Sequence, residues 1–422
     1  MEYIKINGGN TLHGNAYVQG SKNAVLPILA ATILSGKTSK IHNCPKLSDV
    51  KMTVEILKFL GCDILVSGNK ITVNSSNITT DFIPYEMMKK LRSSIIFLGA
   101  ILSRQKSASL SFPGGCEIGL RPIDIHLKSL KMLGVDIKEE HGYLNCRLDK
   151  LKPGKIHLDF PSVGATENIM LISAISNGTT TIINAAKEPE ICDLQNFLNK
   201  MGAKIKGAGT SVIVIEGVSK LNECEHTIIP DRIVASTYLS AAMITGGSVI
   251  VENVIPNHFG AVTSVFEQCG AKVETFKNSL YLKAPKKIRR VNLVRTSPYP
   301  GFPTDAQPVI VSVLSKADGV SIVKENIFEN RFKHTSELIK MGADIRIEDR
   351  IAIINGVKEL TGAQLFASDL RSGAALVVAA LCANGQSQVY NLNFIDRGYE
   401  NLVDVLKNLG ADIERINDGN EW

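Results

Sequence analysis

Two kinds of helical pattern alternate along the chain. The first is apolar on every face once a polar start is passed. It occurs as AVLPILAATIL from Ala24, SSIIFLGAIL from Ser93, IMLISAIS from Ile169, IVASTYLSAAMI from Ile233, AQPVIVSVLS from Ala306 and SGAALVVAAL from Ser372. A helix with no polar face predicts burial on all sides. The second kind keeps polar residues and ends in Gly, a small residue and a strand-like run, as in FLGCDI, MLGVDI, KMGAKI, QCGAKV, KMGADI and NLGADI. These predict outer helices, each closed by a glycine in the left-handed region just past its last turn.

The closing glycines are Gly61, Gly134, Gly202, Gly270, Gly342 and Gly410, spaced 68 to 73 residues apart in a chain of 422. The chain therefore reads as six repeats of about 70 residues. Each repeat runs strand, buried helix, strand, outer helix, then a two-stranded run such as ILVSGNKITV. The class is α/β, built from βαβαββ-type repeats. Six repeats divide into two domains of three, since about 420 residues exceed one ordinary core. The break falls near Pro230, and the opening strand completes the second half. The expected lobes are residues 1–20 with 231–422, and residues 21–230, the latter carrying a glycine-rich loop at 112–122.

The polar starts of the inner helices share a chemistry. They are Lys22-Asn23, Arg92, Thr166-Glu167-Asn168, Asp231-Arg232, Asp305, and Asp369 with Arg371. Ser21, Ser162, Thr304 and Ser368 read as N-caps. Capping does not explain the cations, which oppose the helix dipole at an N-terminus. A bound anion would resolve that conflict.

Composition narrows the partners. Forty-seven Lys and Arg against 41 Asp and Glu leave a net charge of +6. Lys286-Lys287 and Arg289-Arg290 lack interleaved aromatics, so they read as solvated surface, and no nucleic acid is expected. MEYIKINGGN has no apolar leader, and the longest apolar run, Ala374 to Ala383, is too short to span a bilayer. A cytoplasmic chain without membrane contact is expected. Eight cysteines lie at least 18 residues apart, and no histidines pair at i, i+4. Neither pattern suits a metal, so no metal and no cofactor are predicted.

One cysteine stands apart. Cys116 lies in Phe112-Pro113-Gly114-Gly115-Cys116-Glu117-Ile118-Gly119-Leu120-Arg121-Pro122. A Gly- and Pro-rich stretch is an exposed loop, and an accessible thiol near a cation is a reactive one. His126 follows and reads as a helix-surface histidine.

PGGCEIGLRPIDIHL resembles the active-site loop of the UDP-N-acetylglucosamine enolpyruvyl transferases. GSKNAVLPILAATIL, KLRSSIIFLGAIL, FPSVGATENIML, PDRIVASTYL, YPGFPTDAQP, IFENRFKHTSELIKMGAD, DLRSGAALV and IDRGYENL extend the likeness over essentially the whole chain. The resemblance implies an inside-out α/β barrel whose two lobes close over substrate. It implies transfer of the enolpyruvyl group of phosphoenolpyruvate to the 3′-hydroxyl of UDP-N-acetylglucosamine, with release of phosphate, at the opening of peptidoglycan precursor synthesis. A monomer acting on small molecules follows.

The same resemblance implies roles, residue by residue. Lys22, Arg121 and Arg397 would hold phosphoenolpyruvate, with Arg331 and Arg371 nearby, because guanidinium forks match carboxylate and phosphate oxygens. Cys116 would protonate the enol methylene. Asp305 would take the 3′-hydroxyl proton, with Asp369 as its neighbour. Asn23, Arg92, Arg121, Pro122, Ile123, Asp124, Ile125, Ser162, Val163, Gly164 and Ile327 would contact the nucleotide sugar. Inactivation by fosfomycin at the loop thiol is also implied. Phe160-Pro161 departs from the Lys-Val of some members, and Ser21 and Gly373 stand where alanine is more familiar. The shikimate-pathway enolpyruvyl transferases share fold and donor but lack such a cysteine loop, and a non-catalytic nucleotide-sugar-binding relative would have no need of Cys116, Asp305 and Arg397.

Overall fold

A computed structural model of the chain describes residues 2–91, 93–112 and 123–417. These form two compact units. One takes the chain through Gln19 and again from Pro230; the other takes the described residues from Gly20 to Ile229. Each unit holds three four-stranded sheets and one apolar core.

Each sheet is built to one plan: a parallel pair followed by two antiparallel pairings. In the Gly20 unit, Cys224–Thr227 runs parallel to Thr38–His42, which pairs antiparallel with Lys70–Asn74, itself the partner of Asp63–Ser67. The second sheet joins Phe82–Ile83, Ser107–Ser111, Tyr143–Arg147 and Asp136–Glu140, and the third Lys155–His157, Thr179–Ile183, Val212–Glu216 and Lys204–Lys206. In the Pro230 unit, the N-terminal segment supplies two strands. His13–Tyr17 runs parallel to Ser248–Glu252, while Glu2–Asn7 lies antiparallel between Gln386–Tyr390 and Asp412–Asn417. Side chains alternate in each strand, so Ile4 and Ile6 enter the core while Lys5 reaches Glu414 on the outer face.

The apolar helices are buried as their sequences require. Every residue of Arg232–Ile244 and Gln307–Leu314 is buried, as is Arg371 through Leu381 of the third, Leu370–Leu381. These three pack on one another, and in the other unit Phe97–Gln105 packs on Lys22–Ala31 and on Val163–Ala174. Small residues permit the close approach: a Cβ on Gly99 would lie 2.5 Å from the Asn168 carbonyl oxygen. Ser312 Oγ crosses between helices to the Ala375 carbonyl at 2.8 Å. The outer helices, Ser48–Phe59 and Pro189–Lys200 among them, bury one side only. All six closing glycines adopt positive φ, from +91° at Gly342 to +105° at Gly61, as their position past the last turn demands.

A second left-handed signature was not read from the pattern. Asn43, Asn184, Asn253 and Asn391 follow directly on equivalent strands with φ of +57°, +60°, +56° and +62°. Each donates its side-chain amide to a carbonyl just past the neighbouring parallel strand: Ile228, Leu158, Val18 and Ala367 respectively, at 2.7 to 3.0 Å. Asn tolerates this backbone region, and its amide closes the strand pair.

The caps differ from expectation. Only Ser162 accepts as predicted, from the Ala165 amide at 3.3 Å. Ser21 sits at the N-cap without a side-chain bond, and Thr304 Oγ1 donates to Glu325 instead. At the helix predicted to be capped by Ser368, Asp369 is the cap, accepting from Arg371 and Ser372 amides in a capping box, and Asp231 caps Arg232–Ile244. A carboxylate meets the dipole with a full charge, which makes it the stronger cap where no water competes. Among the described residues no helix is long and apolar enough to cross a membrane.

Candidate active site

Asp305 organises a cluster of charged residues in the Pro230 unit. It lies in the short turn Thr304–Ala306 that leads into Gln307–Leu314. Its Oδ1 accepts from Arg331 Nη2 at 2.8 Å, and its Oδ2 from Arg371 Nη2 at 3.1 Å. Arg331 also donates through Nε to the Thr304 carbonyl at 3.3 Å, and its Nη1 stands 3.7 Å from Asp369 Oδ1. The structure thus brings together four predicted residues: Asp305, Arg331, Asp369 and Arg371. Both arginines are nearly fully buried, whereas the Asp305 side chain keeps 28% exposure. The carboxylate is the part of this cluster that a ligand can reach.

Burial acts on Arg371 first, against its charge, but Asp305 and Asp231 outweigh it and hold the guanidinium well above its ordinary range. The guanidinium also packs over the Tyr399 ring, 5.9 Å from its centroid, so Asp305 and Tyr399 together hold its buried charge. His334, beside Arg331, is pushed down to about 4, chiefly by burial. It is neutral at neutral pH and adds no competing charge.

Arg397 lies half-buried in the turn after Leu392–Ile395. That turn is held by Gln19, whose carboxamide donates to the Gly398 carbonyl at 3.2 Å and accepts from the Glu400 amide at 2.8 Å.

In the Gly20 unit, Lys22 opens the helix Lys22–Ala31 and meets Asp49 at 2.7 Å. Asp49 belongs to the outer helix Ser48–Phe59 and is 3% exposed. The sequence reading missed it; its one signal was an acidic residue in a first helical turn. Asn23 follows Lys22 and is partly exposed.

Asp124 and Ile125 lie in the helix Asp124–Met132, with Ile123 at its N-cap. This start adjoins the Ser162–Gly164 start through His126. Here the expectation is corrected: His126 is not a surface residue but 8% exposed. Its imidazole fills the space that a Cβ on Gly164 would need, 2.7 Å from Cε1. Burial lowers His126 to about 4, despite Asp124 nearby, so the ring is neutral. Asn168 Nδ2 lies 3.0 Å from its Nδ1, while Asn168 Oδ1 accepts the Gly99 amide at 2.7 Å. That network places the ring proton on Nε2. Val163 starts the helix that carries Asn168. Glu167, counted with the polar helix starts, is wholly buried, and burial followed by Glu190 and Glu188 raises it well above the carboxylate range.

Ile327 lies beside Glu325, whose Oε1 accepts the Ile327 amide at 2.8 Å. Arg92, Cys116, Arg121 and Pro122 lie outside the described residues. Among the described residues no group of three or more His, Cys, Asp or Glu is placed to hold a metal ion.

Comparison with known proteins agrees with this arrangement. The chain is 54% identical over 416 residues to UDP-N-acetylglucosamine 1-carboxyvinyltransferase 2 of Caldanaerobacter subterraneus subsp. tengcongensis, covering 99% of this chain and 100% of that one. It is 47% identical to UDP-N-acetylglucosamine 1-carboxyvinyltransferase 1 of Carboxydothermus hydrogenoformans, covering 99% of each. The enolpyruvyl transferase NikO from Streptomyces tendae superposes with a TM-score of 0.89 at 25% identity over 98% of both chains. An EPSP synthase from Acinetobacter baumannii, at 18% identity, shares the fold with a TM-score of 0.76 over 99% of this chain and 100% of that one. The six four-stranded sheets match these structures, and the inside-out α/β barrel that the resemblance implied fits the family fold. Residues 6–406 match the model of the EPSP synthase (3-phosphoshikimate 1-carboxyvinyltransferase) family, and the chain belongs to that family.

Proposed function

We propose that this protein transfers the enolpyruvyl group of phosphoenolpyruvate to the 3′-hydroxyl of UDP-N-acetylglucosamine and releases phosphate. The observation that carries the chemistry is Asp305, each oxygen tied to a separate buried arginine while the carboxylate stays accessible. A carboxylate oxygen that accepts one N–H keeps a second lone pair, so the clamp fixes the base without consuming it. The nucleotide sugar is favoured over shikimate 3-phosphate as acceptor by the relatives at 47% and 54% identity over nearly the full chain.

Asp305 takes the proton of the 3′-hydroxyl as its oxygen bonds to C2 of phosphoenolpyruvate, and the Cys116 thiol delivers a proton to C3. The product is a tetrahedral adduct carrying both phosphate and sugar. Loss of a C3 proton to the thiolate expels phosphate and restores the double bond as an enol ether. Lys22, Arg121 and Arg397 would balance the donor's carboxylate and phosphate charge, and the buried charge of Arg371 would add to that field. Arg121, five residues on in sequence, would favour the thiolate, the wrong form for the first proton transfer; bound phosphoenolpyruvate would neutralise that charge and restore the thiol. Asn23, Arg92, Ile123 to Ile125, Ser162 to Gly164 and Ile327 belong to the nucleotide-sugar site in this reading. The activity fits a cytoplasmic monomer working on small molecules.

Incubation with both substrates, followed by mass spectrometry of the nucleotide sugar, tests this directly. Gain of an enolpyruvyl group at the 3′-oxygen is the expected result. Unmodified nucleotide sugar under conditions where the protein is folded contradicts it.

A further inference from the structure

Glu325 stands where the repeat pattern is broken. In four repeats an Asn follows the strand directly and bonds the carbonyl beyond the neighbouring strand. After Val320–Lys324 the same bond is made one residue later, from Asn326 Nδ2 to the Thr296 carbonyl at 3.0 Å. Glu325 is the added residue, and it is wholly buried. Four repeats close the strand pair without such a residue, so the scaffold does not require one. A buried carboxylate is costly unless its oxygens are fully bonded.

Its oxygens are bonded, to two different loops. Oε1 accepts from Thr296 Oγ1 at 2.8 Å, from the Ile327 amide at 2.8 Å and from the Phe328 amide at 3.2 Å. Oε2 accepts from Thr304 Oγ1 at 3.0 Å. Thr304 immediately precedes Asp305, and its carbonyl is the one held by Arg331 Nε. The Thr304 peptide is therefore gripped twice, by Glu325 at the side chain and by Arg331 at the main chain. One carboxylate links the residue before Asp305 to the backbone of Ile327.

We propose that Glu325 is a positioning residue for the transfer reaction. Through Thr304 it fixes the Asp305 carboxylate against the acceptor hydroxyl, and through the Ile327 and Phe328 amides it shapes the turn that receives the nucleotide sugar. This rests on the reading of Asp305 as base and Ile327 as a nucleotide-sugar contact. The two links predict a split in kinetics. Thr304→Val removes only the path to Asp305 and lowers kcat about tenfold with KM for the nucleotide sugar unchanged. Glu325→Ala removes both and lowers kcat at least as much while raising that KM. In the Glu325→Ala background, adding Thr304→Val changes kcat less than about twofold, since the shared link is already gone.

The test is a double-mutant cycle in kcat and KM on the full chain, with thermal melting as a check on folding. An equal tenfold kcat loss from Thr304→Val in both backgrounds overturns the proposal, as does wild-type kcat in Thr304→Val. Should Glu325→Ala not fold, Thr304→Val alone decides by the same criterion. Wild-type protein without turnover on phosphoenolpyruvate and UDP-N-acetylglucosamine defeats the functional reading and this inference together. Normal wild-type turnover with an unaffected Thr304→Val defeats the inference alone.

Discussion

Lys22 Nζ lies 2.7 Å from Asp49 Oδ2, with only 12% and 3% of the two side chains exposed. The outer helix thus supplies the counter-charge for a lysine at the start of an inner one. Removing one partner of a shielded ion pair leaves the other uncompensated, at a cost of about 3 kcal/mol. Asp49→Ala should therefore lower Tm, and phosphoenolpyruvate, bringing its own charge to Lys22, should raise Tm more in the variant than in wild type. Equal ligand-induced shifts in the two proteins would remove Lys22 from the donor site.

The Asp305 clamp predicts a kinetic signature. Asp305→Asn keeps the shape but cannot accept the hydroxyl proton, so kcat should fall about 10²- to 10⁴-fold with KM nearly unchanged. Arg331→Lys loses the contacts to Asp305, Asp369 and the Thr304 carbonyl that one planar guanidinium makes together. It should lower kcat as well, by about tenfold. Steady-state kinetics on both variants decide the matter; an Asp305→Asn enzyme at full rate would place the base elsewhere.

Thiol chemistry should be confined to one position. Burial pushes Cys44, Cys62, Cys146, Cys269 and Cys382 up to about 12 and Cys224 to about 11, and it raises Cys192 as well. These seven are protonated and slow to react at neutral pH. Iodoacetamide at pH 7.5 should add one label per native chain, mapped to Cys116 by peptide mass. Cys116→Asp should turn over yet resist fosfomycin. Labelling spread over several cysteines in the folded protein would contradict the assignment.

Acid stability follows from two buried imidazoles. His126 and His334 are lowered to about 4, below an unfolded value near 6.5. In that window the unfolded chain binds more protons, so the stability present above about pH 6.5 is lost as pH falls toward 4. The loss is at most about 1.4 kcal/mol per pH unit for each histidine. Glu167, raised above its unfolded value, acts in the opposite sense and loses its contribution as pH rises above about 4.5. His126→Gln should flatten the acid limb relative to wild type, as read from denaturant midpoints between pH 4 and 7. Parallel curves would show that His126 titrates normally in the folded state.

Much of the scaffold could be read directly. Gly61, Gly134, Gly202, Gly270, Gly342 and Gly410 declare their positive φ because few other residues tolerate it, and all-apolar helices have nowhere to go but inside. The charged residues at helix starts were legible for the same reason, and Asp305, Arg331, Asp369 and Arg371 do meet. What escaped were relationships across sequence distance. Asp49 and Glu325 look like ordinary surface acids until packing shows each of them shielded with its partners in place. His126 was misjudged because its helix is amphipathic and its burial depends on Gly164, 38 positions away in sequence, offering no side chain. The caps were misjudged for two reasons: local propensity cannot rank the Ser368 hydroxyl against the neighbouring Asp369 carboxylate, and it cannot foresee that Thr304 Oγ1 turns to Glu325, 21 positions away in sequence.

Phosphate release from phosphoenolpyruvate, measured with UDP-N-acetylglucosamine and separately with shikimate 3-phosphate, for wild type beside Cys116→Ala, decides both the acceptor and the acid. Release with the nucleotide sugar alone, abolished in the variant, is the expected result. Release with shikimate 3-phosphate, or undiminished release by Cys116→Ala, would contradict it.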